Sequence, residues 1–187
     1  METTLKNRKS PRLKNWDYST PGFYFITMVT KNRENLFGEI KNGEMILNDF
    51  GKIVKEEFLK SFKIRKELFC DEYIIMPNHI HAILFIEDNT IVNGEFCMNR
   101  IPHDTQQPRR DTRSCVPTGK SISSFVAGFK SIVTKRINEL RNTPKLPFWQ
   151  SRFHDRIVRN EIELYNIRNY IKNNPMNWTG DDLSNAA

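Results

Sequence analysis

The chain has 187 residues, 38% of them hydrophobic and 27% charged, and Lys plus Arg outnumber Asp plus Glu by 29 to 22. That is enough for one domain with a core and some extensions, and no apolar run approaches the ~20 residues of a membrane-spanning helix. The net charge of +7 directs attention to polyanions, because each Lys or Arg that meets a phosphate releases condensed counterions.

The N-terminal stretch METTLKNRKSPRLKNW has no apolar centre and does not read as a secretory signal. The three cysteines, Cys70, Cys97 and Cys115, form no CxxC pair. Both features lead us to expect a soluble cytoplasmic protein. Residues 1–15 set Lys6, Arg8, Lys9, Arg12 and Lys14 against Glu2 alone, as either a solvated tail or a basic arm for a phosphate backbone.

FYFITMVT, 23–30, is aromatic and β-branched and reads as a strand. GEIKNGEMILN carries Asn42-Gly43 at its centre, the signature of a type I′ hairpin. A helix follows from about Asn48, its cap, to Lys63, with Phe50, Ile53, Val54, Phe58 and Phe62 on one face. LFCDEYIIM and HIHAILFIE read as adjacent strands joined at Pro77-Asn78. Residues 88–120 have polar clusters, prolines and no periodicity, and read as a mobile insertion. Ser121 opens a second long helix to about Leu140, and FWQSRFHDRIVR, 148–159, reads as a last strand. Asn160 caps a final helix, EIELYNIRNYIKNN, which Pro175 stops. The domain thus runs over 16–178, with a loose tail at 179–187.

Without the hairpin the order is βαββαβ plus one C-terminal helix. That predicts an α+β fold: a ferredoxin-like, split βαβ antiparallel sheet with helices on one face, and a further C-terminal helix.

Inside MPNHIHAILFI, His79 and His81 share one face of a strand, because residues i and i+2 point the same way. Their Cα atoms lie roughly 7 Å apart, so both imidazoles can reach one metal ion. The ordinary alternative is a hydrogen-bonded pair in a partly buried spot. Metal-dependent barrels and cupins also use HxH, but a barrel needs about 250 residues and cupins are nearly all β.

On the last helix, Leu164, Ile167, Arg168 and Ile171 form one stripe. Tyr170 and Asn174 lie on its edge, one turn and roughly 6 Å apart. Tyr165 sits about 140° round from Tyr170 and cannot share its site. A packing tyrosine and a helix-end asparagine would explain this pair alone. Beside a metal-binding strand in a basic chain, they suggest phosphoryl transfer with a tyrosine nucleophile.

YIIMPNHIHAILFI, FVAGFKSIVTKRINEL, FWQSRFHDRIVRNEIEL and RNYIKNNPMNW together resemble the REP-associated tyrosine transposases, within the single-tyrosine HUH (IS200-like) transposase superfamily. The resemblance covers about residues 18–178 apart from the insertion, and Ile80 stands where the family expects an apolar residue. It implies the ferredoxin-like fold and a nucleophile at Tyr170. It also implies metal ligands at His79 and His81, with a third, polar ligand at Asn174 where related insertion-sequence enzymes have glutamine. It further implies Mg²⁺ or Mn²⁺ as cofactor and single-stranded DNA with hairpin (REP-like) elements as partner. The implied reaction is cleavage and strand transfer through a 5′-phosphotyrosine. Relatives act as dimers or monomers, so a homodimer stays open.

For DNA contacts the sequence offers Lys130, Lys135 and Arg136 on the second long helix, and Arg152, Arg156 and Arg159 on the last strand and its end. Arg152 and Arg156 share strand parity there. Trp149, Phe148 and Trp16 are candidates to stack on unpaired bases, with core or solvated surface as the alternative for each. His154 reads as structural. Two other functions fit the same residues: a hairpin-binding module without turnover, and a metal-dependent phosphoesterase in which water attacks.

Overall fold

A computed structural model describes residues 16–87, 121–178 and 183. The arm expected at 1–15, the insertion at 88–120 and, Leu183 excepted, the tail at 179–187 lie outside the described residues.

The strands are β1 (Gly22–Val29), β2 (Gly38–Lys41), β3 (Glu44–Leu47), β4 (Leu68–Ile75), β5 (His79–Ile86) and β6 (His154–Ile157). The helices are α1 (Asp49–Ile64), α2 (Ile122–Leu140) and α3 (Glu161–Asn173). Local chemistry sets these bounds. Asn42 and Gly43 both hold positive φ, 53° and 77°, as the β2–β3 turn requires. The side chains of Asn48, Ser121 and Asn160 each accept from the backbone N–H three residues on, at Gly51, Ser124 and Glu163.

β4, β5, β1 and β6 form one sheet in that order, and every neighbouring pair is antiparallel. β2 and β3 form a separate ribbon. With that ribbon set aside, this is the ferredoxin-like arrangement. The outer pair is β4 and β6, and the central strands are β5 and β1, which are buried on both faces.

Alternation sorts the side chains. Ile80, Ala82, Leu84 and Ile86 of β5 join Tyr24, Ile26 and Met28 of β1 in the larger core. α1 and α2 cover it with Val54, Phe58, Phe125, Phe129, Val133 and Ile137. Ile83 faces the other way and packs with Val158, Leu164, Ile167 and Ile171, so α3 lies on the opposite face. The faces tolerate no register error, because a one-residue slip would exchange them.

One expected element is shorter than its sequence suggests. The last strand was expected over 148–159, but it is regular only over β6. Trp149 does bridge to Thr30, and Gln150 N–H donates to the Val29 carbonyl. The ladder then breaks. Lys130 Nζ donates to the carbonyls of Gln150 and Arg152, at 2.8 and 3.1 Å, and turns the chain aside. Arg152 is therefore outside the strand, and its parity with Arg156 has no meaning.

Two helical glycines make a paired test. A Cβ on Gly51 would collide with the Phe37 carbonyl oxygen and the Leu47 side chain, whereas one on Gly128 would meet nothing within 4 Å. Urea denaturation should show Gly51→Ala destabilised by about 1–3 kcal/mol, and Gly128→Ala stabilised by up to about 1 kcal/mol.

Candidate active site

β5 begins with His79 and His81, which share the face covered by α3, as strand periodicity requires. Both are buried, and their ring centroids are 4.4 Å apart. Each ring is held by its Nδ1. His81 Nδ1 is 2.8 Å from the hydroxyl of Thr27, its cross-strand partner on β1. His79 Nδ1 is 2.7 Å from Asn78 Oδ1.

The Asn78 contact determines a tautomer. Asn78 Nδ2 donates to the backbone carbonyls of Arg33 (3.0 Å) and Leu183 (2.7 Å), so the amide cannot be flipped without losing both. Its Oδ1 must then accept, and His79 must carry its proton on Nδ1. The lone pair stays on Nε2. That nitrogen is buried and has no hydrogen-bond partner among the described residues. A buried nitrogen with a free lone pair is costly to leave bare, and it is what a metal ligand looks like. Burial also pushes the His79 imidazole down to about 3, so it need lose no proton before ligating.

Tyr170 comes to the same place from α3. Its hydroxyl is 3.1 Å from His81 Nε2, with the two rings 5.2 Å apart. α3 is seated by Leu164, Ile167 and Ile171 against the sheet, and by two ion pairs to β4. Arg168 grips Asp71 with two nitrogens, and Lys172 meets Glu72 at 3.0 Å. Consecutive acids in a regular strand would face opposite ways. Here a bulge between Cys70 and Glu72 puts Asp71 outside the register, so both carboxylates reach α3.

Asn174 is buried at the C-cap of α3, one turn beyond Tyr170. Tyr165 is 65% exposed, and Tyr170 is the phenol that meets His81. The Trp178 ring lies 5.9 Å from that of His79 and walls the site. Among the described residues no three His, Cys, Asp or Glu side chains cluster, so a cation here would rest on the two imidazoles and on amide or substrate oxygens. Imidazole suits Mn²⁺ better than Mg²⁺.

No family model matches the sequence. An uncharacterized protein of Haemophilus influenzae Rd is 36% identical over 179 residues, which span 96% of this chain and 94% of that protein. The two belong to one family. The solved structure of the REP-associated tyrosine transposase bound to a REP hairpin aligns with a TM-score of 0.52 at 17% identity, covering 86% of this chain and 70% of that one. The chain has the fold of the REP-associated tyrosine transposases.

The structure separates the basic and aromatic residues singled out on sequence. Arg136 ties α2 to α1, with Nη1 2.6 Å from Glu57 and 2.9 Å from Glu56. Lys130 holds the loop before β6 and lies over the Trp149 ring, and burial pushes its amine down to about 8. Lys135 is exposed, with Glu139 3.9 Å away, and Arg152 is exposed on the loop. Trp149 and Phe148 are buried in the larger core and have no face to offer a base. Trp16 donates its indole N–H to the Tyr24 hydroxyl. Of the described DNA-contact candidates, Arg156 and Arg159 line the cleft beside Tyr170. That cleft, of about 760 Å³, is also lined by Phe25, Glu163 and Asn166.

Sequence reasoning missed Asn78, Thr27 and the Asp71–Glu72 pair. Asn78 had a signal, since it directly precedes His79, but it was read only as a turn residue. Thr27 becomes visible only once the β1–β5 register is known. Among the described residues no helix is long and apolar enough to cross a membrane.

The neutral His79 has a pH consequence. Its unfolded pKa is near ~6.5 and its folded value about 3, so between those limits the unfolded chain binds the extra proton. Unfolding is thus favoured as pH falls. In metal-free buffer, stability should drop by up to about 1.4 kcal/mol per pH unit below ~6 from this group. In chemical denaturation at stepped pH, His79→Gln should show a correspondingly flatter profile.

Proposed function

We propose that the protein is a metal-dependent single-stranded DNA endonuclease and strand transferase with Tyr170 as nucleophile. The observation that carries this reading is the Tyr170 hydroxyl 3.1 Å from His81 Nε2, next to a His79 whose Nε2 is buried and has no hydrogen-bond partner among the described residues. The known structure of the same fold is described as a transposase bound to a REP hairpin, which supports a hairpin-bearing DNA substrate.

His79 and His81 would hold a divalent cation, Mn²⁺ or Mg²⁺, through their Nε2 atoms, with Asn174 as the third ligand. When bound, the cation would neutralise the phosphate oxygens and stabilise the leaving 3′-oxygen. Asn78 and Thr27 orient the two imidazoles through Nδ1.

Ligation through Nε2 requires the His81 proton on Nδ1, toward Thr27, and in that tautomer the Tyr170 hydroxyl donates to the lone pair on Nε2. That lone pair is the one ligation needs. Holding a cation through His81 Nε2 would require the phenol to give up this hydrogen bond, which would free it to turn to the phosphate. Tyr170 is 45% exposed, so its side chain has room to turn. Its oxygen would bond to phosphorus as the bond to the 3′-oxygen breaks, and the phenolic proton would pass through solvent to that leaving oxygen. The products are a 5′-phosphotyrosine and a free 3′-hydroxyl. The link conserves the phosphodiester's bond energy, so a 3′-hydroxyl can reverse the step on the same or another strand without ATP. A phenol with an ordinary pKa near ~10 needs this assistance at neutral pH.

The test uses labelled single-stranded oligonucleotides drawn from hairpins flanking the protein's own gene, with Mn²⁺ or Mg²⁺. Wild type should form a labelled covalent adduct on a denaturing gel, while Tyr170→Phe and His79→Ala should form none. Cleavage that persists in Tyr170→Phe without adduct would replace this mechanism by attack of water. Titration of Mn²⁺ without DNA adds a second readout. Tyr170→Phe should bind the ion at least as tightly as wild type, because the phenol no longer competes for His81 Nε2, and His79→Ala should lose at least about tenfold in affinity.

A further inference from the structure

The cleft beside Tyr170 has a construction that the chemistry above does not use. Phe25 is stacked on His81, with centroids 5.3 Å apart and ring planes at 26°. Over the same ring, 5.6 Å from its centroid, lies the guanidinium carbon of Arg156. The two residues are register partners on β1 and β6. A ladder of flat groups therefore leads from the candidate metal ligand His81 through Phe25 to Arg156, whose side chain is 47% exposed.

Arg156 is paired with α3. Glu163 Oε1 is 3.5 Å from Arg156 Nη1, while Glu163 Oε2 accepts from the Arg159 backbone N–H. The carboxylate is thus committed to orienting the arginine. The Arg159 side chain is exposed on the rim, so two cations face one anion. Ile162 lines the same cleft and is 74% exposed, an apolar wall left open among the described residues.

We propose that this cleft is a subsite for one unpaired nucleotide next to the scissile phosphate, with its base stacked on Arg156 and its phosphate met by Arg159. Guanidinium planes are established stacking surfaces for unpaired bases. The cleft, of about 760 Å³, has room for a nucleotide and is in the right place, since Phe25 lies 6.3 Å ring to ring from Tyr170. An anion site alone would need neither the ladder nor the Ile162 wall. The inference rests on the reading of Tyr170 as a nucleophile toward a DNA phosphodiester.

Equilibrium binding without metal tests it, by anisotropy of fluorescein-labelled oligodeoxyadenylate against an abasic deoxyribose-phosphate chain of equal length. Wild type should bind the adenylate about tenfold more tightly, within the ordinary range for one stacked base. Arg156→Lys keeps the charge and the Glu163 pair but loses the plane, so the ratio should fall toward one with the abasic chain held as before. Arg159→Gln should weaken both chains alike. Equal affinity of wild type for both chains would make the cleft a phosphate site and overturn the proposal. So would a ratio unchanged in Arg156→Lys, whose fold is checked by circular dichroism. The adduct assay keeps the two readings apart. No adduct, with the ratio still lost in Arg156→Lys, sinks the nucleophile and leaves the subsite standing. A normal adduct with a ratio insensitive to Arg156 sinks the subsite alone.

Discussion

The antiparallel register of β1 against β5 governs the candidate site. It places Thr27 opposite His81 and Val29 opposite His79, and Phe25 one step further along the same face. It thereby supplies the hydroxyl that holds one imidazole and the ring on which that imidazole stacks. The same register sends Ile80, Ala82 and Leu84 into the core under α1 and α2. A slip of one residue would drive both imidazoles into that core and bring isoleucines out to meet Tyr170. Packing and chemistry are specified by one alignment, so selection for a well-packed sheet also holds the site in place.

The second element, α3, is placed by a feature that breaks the regularity of the sheet. Its apolar stripe determines which side faces Ile83, but a stripe alone permits sliding and rotation. The ion pairs from Arg168 and Lys172 to consecutive residues of β4 restrict both. Those pairs exist because the bulge at Asp71 turns two neighbouring acids the same way. Exposed ion pairs contribute little to stability, about 0–1 kcal/mol each. Here their effect is on position, since Arg168 and Lys172 sit about one and two turns beyond Leu164 and hold Tyr170 over His81.

Most of the architecture was legible in the sequence because it is written in local rules. Asn42-Gly43, the caps at Asn48, Ser121 and Asn160, and the period-two alternation of β5 each act within a few residues. The topology followed from the element order. What escaped depends on contacts distant in sequence. The early part of the expected last strand is bent by Lys130, some twenty residues upstream, and its Phe148 and Trp149 are drawn into the core. Arg136 reads as a DNA contact until Glu56 and Glu57 are seen across the helix pair. His79 and His81 lie together as strand parity requires, and helical spacing separates Tyr170 from Tyr165. The partners that orient the imidazoles depend on register and turn geometry, which periodicity does not contain.

His79 shows why this arrangement is not explained by packing alone. The position is fully buried on a central strand, where Leu or Val would add apolar burial and leave no polar atom bare. Instead the chain buries an imidazole, pushes it down to about 3, and leaves Nε2 without a partner among the described residues. An orphaned buried nitrogen costs about 1–3 kcal/mol. Asn78 adds to the constraint by fixing the ring with a proton on Nδ1, when the opposite tautomer would have turned Nε2 into a donor. A sequence selected only for stability has simple substitutions that remove this cost. Retaining the imidazole, its tautomer and a phenol beside its neighbour makes physical sense where a cation and a phosphate complete the coordination that the protein leaves open.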